Sequence, residues 1–316
     1  MALTPENDVP QHSQSPHNSS FLGLTFRHGK RKSDEPDEEV KGRLGLNLLC
    51  SCPDPLIDFV FVHGLGGGSR KTWSQSSHLK HFWPRWLPQD SEFQDVRIHS
   101  FGYDSNWTSM RPDVSSISDF ALALLNALRY ADTIRIPEKT PIVFIAHSMG
   151  GMVVKKALLL AWHDPAFEDL AARFRTIVFL ATPHRGSGGA RVINGVLRLS
   201  FAHTSPNYVE ELERNSGVLQ DINEYFRHIA EKFELYSFFE TVKTNFVFGG
   251  VGSVTIVDKR SATLDYPHEQ RFPVQANHRG ICKFDDRNDP KYLLVKGVLA
   301  SIVRACTETS GCIKLH

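Results

Sequence analysis

The segment IVFIAHSMGG, residues 142–151, carries an apolar run directly into a polar His-Ser pair and then into glycines that begin a helical stretch. A serine at the tip of a tight strand-to-helix turn needs small neighbours two residues away on either side, because the backbone folds back on itself there. Ala146 and Gly150 meet this need. The segment is therefore typical of a nucleophile elbow, with Ser148 at its tip.

Similar apolar runs occur on both sides of this elbow and alternate with stretches of helical spacing. Dense apolar runs without strict alternation are typical of parallel strands that are buried on both faces. The sequence therefore predicts an α/β-hydrolase fold, with a mostly parallel, doubly wound sheet, helices on both faces and a helical insertion after the strand ending at Pro183. The predicted core strands are IDFVFVHG (57–64), VRIHSFGY (96–103), PIVFIAHS (141–148), RTIVFLATP (175–183), FELYSFFET (233–241) and SVTIVDK (253–259).

Composition divides the chain into three parts. Residues 1–43 are rich in Ser, Pro, His and charge, and such a segment buries too little apolar surface to offset its ordering entropy, so we expect a flexible leader. Residues 44–309 form the predicted hydrolase domain, and 310–316 form a tail. Within the domain, 186–232 is too long for a simple connection and predicts helices, either packed on the sheet edge or serving as a cap over the site.

A glycine-rich loop follows the first predicted core strand, in DFVFVHGLGGG, residues 58–68. Glycines at this place allow a backbone to approach a substrate closely. We expect the N–H groups of Leu65, in this loop, and of Met149, at the helix start after the elbow, to form an oxyanion hole. His63 is expected to shape the loop rather than to react.

An activated serine needs a base, and neutral imidazole suits proton transfer near neutral pH. In this fold the base follows the last strand, and His278 occupies that place before the C-terminal helix. His268 is the main competitor, although a Pro-flanked turn favours a surface position. We expect a packing role for His147 and a place along the cleft for His184.

Several carboxylates fall between the serine and the base. Glu240 ends the apolar run FELYSFFE, at the penultimate strand where this fold presents its acid, and is the preferred orienting acid. Asp258, at the end of SVTIVD, is the alternative. Asp265 and Glu269 are weaker candidates because they fall in a predicted loop.

Charge and motifs exclude several other classes of function. The net charge is +1 with scattered basic residues, so we expect no nucleic-acid partner. No nucleotide-binding P-loop and no metal-ligand spacing occurs, so we predict neither a cofactor nor a metal. Five irregularly spaced cysteines indicate a reducing compartment, and the start of the chain lacks a secretory pattern, so we expect an intracellular protein.

Taken together, FVHGLGGG, SFGYD, IAHSMGGMVVKKAL, FLATPHRGS, YSFFET and NHRGICKF resemble the lipase-like serine esterases of the serine-active-site-containing protein family. More distantly they are similar to GPI inositol-deacylases. Fungal members also occur as the first module of large receptors, which leaves a catalytically weak signalling module as an alternative. The resemblance implies hydrolysis of esters or thioesters of lipid-like acyl groups. It also implies peripheral association with mitochondrial or endoplasmic reticulum membranes in some members, and it carries over Ser148, His278, Glu240 and the amides of Leu65 and Met149.

Overall fold

A computed structural model describes residues 40–105, 117–135, 139–184, 208–246, 252–254 and 256–313. Within these ranges the strands are β1 (Gly45–Cys50), β2 (Ile57–Val62), β3 (Val96–Gly102), β4 (Ile142–His147), β5 (Phe174–Leu180), β6 (Glu234–Glu240), β7 (Thr244–Phe246), β8 (Gly252–Val254) and β9 (Glu269–Val274). The α-helices are α1 (Ile117–Tyr130), α2 (Asp132–Arg135), α3 (Gly150–His163), α4 (Glu168–Ala171), α5 (Tyr208–Phe226), α6 (Lys259–Ala262) and α7 (Pro290–Ile313). Short 3-10 helices span Lys71–Trp73, Leu79–His81, Trp83–Arg85, Leu87–Gln89, Ser91–Phe93, Pro165–Phe167, Ala230–Lys232 and Gly280–Cys282.

The main sheet has seven strands in the order β1-β3-β2-β4-β5-β6-β9. All neighbouring pairs from β3 to β9 are parallel, and only β1 runs antiparallel, along β3. The strands β2 and β4 lie at the centre: β3 and β1 follow outward from β2, and β5, β6 and β9 follow outward from β4. The chain therefore winds outward in both directions, and the sheet is doubly wound. The carboxyl ends of β2, β4, β6 and β9 therefore lie along one edge, where open α/β sheets hold their sites.

Apolar layers cover both faces of the sheet, which explains why the central strands β2 and β4 are apolar except for Asp58 and His147. Every residue of β2 and β4 is buried. One layer contains Leu124 of α1 and Met152 of α3. The opposite layer contains Trp83 and Tyr292, the latter on α7. The predicted α/β-hydrolase fold is thus confirmed.

A buried ion cluster joins β2, β3 and the residue before β5 at the end of the sheet away from the elbow. Asp58 of β2 accepts hydrogen bonds from Arg97 of β3 at 2.6 and 2.9 Å. It also accepts one from Arg173, next to β5, at 3.0 Å. All three side chains are less than a tenth exposed, so the one carboxylate partly neutralises two buried guanidinium groups.

The prediction of a sixth core strand at SVTIVDK (253–259) is wrong. The described backbone there forms β8, which pairs antiparallel with β7 in a separate two-stranded sheet. The main sheet ends instead with β9, whose sequence EQRFPV has exposed residues and Pro273. Such a strand carries little apolar signal because it lies at the sheet edge, where Pro is tolerated.

Other boundaries also differ from the predictions. The strand expected to end at Pro183 ends at Leu180, and α5 lies within the predicted helical insertion. Residues 186–207 of that insertion and 1–39 of the predicted leader lie outside the described residues. Of the described residues in the predicted leader, Lys41 contacts the domain, since its carbonyl accepts from the Arg70 amide at 3.0 Å. Helix α7 continues to residue 313, into the predicted tail.

Candidate active site

The elbow forms where β4 passes into α3. Ser148 has φ of 53° and is only 1% exposed. A side-chain-bearing residue in this left-handed region costs about 1–3 kcal/mol, so the surrounding structure must hold it there. The Ser148 amide donates to Leu180 O at 2.9 Å, and the Ser148 carbonyl accepts from the Gly151 amide at 3.1 Å. These bonds fix the turn on both sides of the serine.

Glycines allow the loop after β2 to lie directly against this elbow. A Cβ on Gly64 would lie 2.9 Å from His147 O and 3.0 Å from the Ser148 Cβ. A Cβ on Gly150 would clash with the carbonyls of Val62 and His63. The glycines at both positions therefore permit a backbone approach that any side chain would prevent.

The two amides predicted for the oxyanion hole belong to these two adjoining segments. Met149 is the N-cap residue of α3, and the first amides of a helix point toward the N-terminus, where they favour negative charge. A Cβ on Gly64 would lie 3.4 Å from the Met149 nitrogen, and Leu65 is the next residue along. Leu65 and Ser148 line the same cavity. The fold thus places both predicted donor residues beside the serine.

His278 comes to the serine from 130 positions further along the chain, and its Nε2 lies 2.9 Å from Ser148 Oγ. The residue is 2% exposed and lies in the loop between β9 and the 3-10 helix at 280–282. The other nitrogen, Nδ1, lies 3.5 Å from Glu240 Oε1. This separation is longer than an ordinary hydrogen bond.

Glu240 reaches His278 because β6 and β9 are neighbours, with Glu240 opposite Val274 at their carboxyl ends. Glu240 is 3% exposed, and its Oε1 accepts from the Val257 amide at 2.6 Å. The segment predicted as a sixth core strand thus supplies a backbone donor that holds the acid.

The rival acids have other contacts. Asp258 is exposed and caps α6 by accepting from the Ser261 amide at 2.8 Å. Glu269 accepts from the amides of Leu264 and Asp265 at 2.8 and 2.9 Å. The Asp265 carboxylate pairs with an exposed arginine of β9 at 2.7 Å.

The rival histidines also lie elsewhere. His268 precedes β9 and contacts Ala230 O at 3.3 Å. His184 is buried against Lys155, whose Nζ lies 2.8 Å from Nδ1 of the ring.

His63 shapes the glycine loop. Its ring stacks on Tyr103 with centroids 4.2 Å apart, and its Nε2 accepts from the Tyr103 amide at 3.1 Å. Its Nδ1 therefore carries the proton and donates to Gly64 O at 2.9 Å. Burial lowers the pKa of His63 to about 4, so the ring is neutral at physiological pH.

His147 is a site residue whose contact the sequence did not reveal. Its Nε2 lies 2.9 Å from the backbone carbonyl of His278, and the two rings have centroids 5.1 Å apart. Burial, followed by the nearby His278, lowers the pKa of His147 to about 3. No local pattern could have predicted this contact, since it joins positions 131 residues apart.

The cleft beside Ser148 has a volume of about 190 Å³. Among the described residues, its lining includes Lys71, Arg279 and Lys283 and no carboxylate. Lys283 Nζ donates to Ser74 O at 2.6 Å, and burial lowers the pKa of this amine. The lining residues are Gly64, Leu65, Gly66, Gly67, Lys71, Thr72, His147, Ser148, His278, Arg279, Cys282 and Lys283.

Within the described ranges, no group of three or more His, Cys, Asp or Glu residues is arranged to hold a metal ion. In the same part of the chain, every helix is too short or too polar to span a bilayer.

Comparison with known proteins agrees with this architecture. Protein SERAC1 from Danio rerio is 33% identical over 259 residues, covering 75% of this chain and 38% of the relative. Protein SERAC1 from Mus musculus is 32% identical over 284 residues, covering 81% of this chain and 41% of the relative. The chain thus spans about two fifths of the length of these curated relatives.

Among solved structures, one from a study of two fungal esterases of Rhizomucor miehei has a TM-score of 0.50 at 13% identity. It covers 81% of this chain and 77% of the other, a likeness of fold alone. The sequence profile described as the Alpha/beta hydrolase family matches residues 59–266, well over half of the chain. This match includes the elbow and the glycine loop, and the chain therefore belongs to the alpha/beta hydrolase family.

Proposed function

We propose that this protein is a serine hydrolase that cleaves carboxylic esters or thioesters through an acyl-enzyme. Ser148 is the nucleophile and His278 the general base. The main support is the 2.9 Å separation of Ser148 Oγ from His278 Nε2 at a turn held in a left-handed conformation. A strained, buried serine that contacts an imidazole is costly to maintain and is typical of a nucleophile.

In the proposed reaction, His278 Nε2 takes the hydroxyl proton while Ser148 Oγ attacks the substrate carbonyl carbon. The amides of Leu65 and Met149 stabilise the resulting oxyanion. Collapse breaks the bond to the leaving alcohol or thiol, which receives the proton from His278. Water, deprotonated by the same imidazole, then attacks the acyl-enzyme, releases the acid and restores Ser148.

Glu240 is the proposed orienting acid. Its Oε1 lies 3.5 Å from His278 Nδ1, and the Val257 amide holds that oxygen. A carboxylate there keeps Nδ1 protonated, leaves Nε2 free to accept the serine proton and stabilises the imidazolium that forms. The exposed position of Asp258 and its role as a helix cap argue against it as the alternative. The 3.5 Å distance is expected to shorten in the substrate complex.

The substrate class within this proposal is an ester of a lipid-like acyl group, either free or in a membrane surface. The serine esterase motifs support this choice, as does the likeness in fold to a structure described as a fungal esterase. Peripheral association with a mitochondrial or endoplasmic reticulum membrane is the matching proposal for localisation.

A fluorophosphonate probe and a short p-nitrophenyl ester test the reaction. Wild-type protein should be labelled and turn over the ester, whereas Ser148→Ala should lose both, because the probe must bond to Oγ. Ser91→Ala, at an exposed serine, is the matched control and should behave as wild type. A wild-type protein that neither binds the probe nor hydrolyses the ester would favour a non-catalytic signalling module instead.

A further inference from the structure

Two consecutive residues of the elbow hold the same distant residue at two different atoms. Ser148 Oγ contacts the His278 ring at Nε2, and His147 Nε2 contacts the His278 backbone carbonyl, both at 2.9 Å. The sequence led us to expect only a packing role for His147. Its ring does pack against His278, but it also has this directional bond.

The chemistry of the bond fixes the state of His147. A backbone carbonyl only accepts, so His147 Nε2 must carry a hydrogen and donate it. Because the ring is neutral, it does so without placing a positive charge beside His278, which must itself become positive during the reaction. A charged donor 5.1 Å away, at the distance between the two ring centroids, would oppose that step.

In the loop between β9 and the 3-10 helix at 280–282, two other backbone hydrogen bonds are made by the residues just before His278 and not by its own carbonyl. Before it, the Ala276 carbonyl accepts from the Val242 amide at 3.1 Å, and the Asn277 carbonyl accepts from the Ile281 amide at 3.1 Å. The bond from His147 fixes the backbone of the base itself. Once that backbone is held, only the two side-chain torsions remain, and contacts at both ring nitrogens restrict these. A displacement of about 1 Å in such a site can cost about 10²-fold in rate.

We propose that His147 is a positioning residue, which holds the backbone of the general base at the correct distance from the nucleophile through its Nε2–H. This inference rests on the proposed hydrolase function and extends it to a residue whose hydrogen bond goes to the backbone of the base and not to the reacting atoms. The reaction requires the Nε2–H donor of His147 rather than the bulk of its ring.

The test compares two substitutions that separate the donor from the bulk of the ring. His147→Phe keeps an aromatic ring but has no N–H, whereas His147→Gln has an amide N–H that reaches the position of Nε2. His147→Phe should lower kcat by about 10- to 100-fold with a much smaller change in KM, because the hydrogen bond that it removes is made to the base and not to the substrate. His147→Gln should recover most of the rate. His163→Phe, the same change at an exposed histidine, should have wild-type kinetics.

Urea unfolding midpoints, measured on every variant, separate positioning from folding. The proposal is supported if the Phe and Gln variants have similar midpoints but differ at least fivefold in kcat. It is overturned if the two variants have equal kcat. It is also overturned if the loss of kcat in each variant simply parallels the fall in its urea unfolding midpoint. If the fluorophosphonate probe does not label the wild-type protein, the hydrolase function is overturned, and the positioning role with it. Normal wild-type labelling combined with an unimpaired Phe variant would overturn only the positioning role.

Discussion

Acidification should destabilise this protein steeply between pH 6.5 and pH 5, because three buried histidines are held neutral. Burial lowers the pKa of His63 to about 4 and that of His147 to about 3. It also lowers the pKa of His99 to about 3, with a further contribution from the Arg97 cation. In the unfolded chain each of these histidines returns to the ordinary value of 6.5.

The sign follows from proton linkage. Between the folded and unfolded pKa values the unfolded chain binds more protons, so the free energy of unfolding rises with pH and falls on acidification. One proton changes it by about 1.4 kcal/mol per pH unit, so three histidines give a slope of about 4 kcal/mol per pH unit near pH 5.5. From pH 6.5 to pH 5 the loss is about 5 kcal/mol, which is comparable with the whole stability of many domains.

Urea unfolding at several pH values between 5 and 7.5 measures this slope directly. His99→Gln should flatten it by about 1.4 kcal/mol per pH unit, whatever its effect on absolute stability, because one titrating group is removed. His163→Gln, at an exposed histidine, should leave the slope unchanged. A stability that is constant over this range, or an equal slope change in both variants, would refute the assignment of neutral buried histidines.

Three further outcomes are expected. Glu240→Gln should lower kcat by about 10³- to 10⁴-fold in ester hydrolysis, whereas Asp258→Asn should change it less than about threefold. Gly64→Ala should lower kcat by about 10²-fold with retained folding by circular dichroism, because its Cβ would displace the oxyanion loop from the elbow. Asp58→Ala should cost about 3–5 kcal/mol in urea unfolding without changing KM, since it removes the carboxylate that two buried arginines share far from the cleft.

Local sequence was sufficient to predict the elements that are buried and that are formed by residues close together in the chain. The strand, serine and small residues of 142–151 form the elbow, and the glycines after β2 form the loop that lies against it. Each of these features is encoded within about ten residues, since a buried central strand must be apolar and a tight turn must be small.

The predictions from sequence were wrong for strands that are not buried on both faces of the sheet. The strand β9 lies at the sheet edge, and its exposed residues hide it, whereas the apolar run at 253–259 suggested a core strand that does not form. An apolar run reports that side chains are buried but not which backbone they pair with, so strand neighbours could not be read from it.

By itself, the sequence determined the elbow, the fold class and a short group of candidate bases and acids. Only the tertiary structure decided which imidazole and which carboxylate come together, because β6 and β9 become neighbours through pairing over a long sequence distance. The same pairing brings His278 to both Ser148 and His147. Contacts between residues 130 or more positions apart depend on the geometry of the whole sheet, and no local pattern contains that geometry.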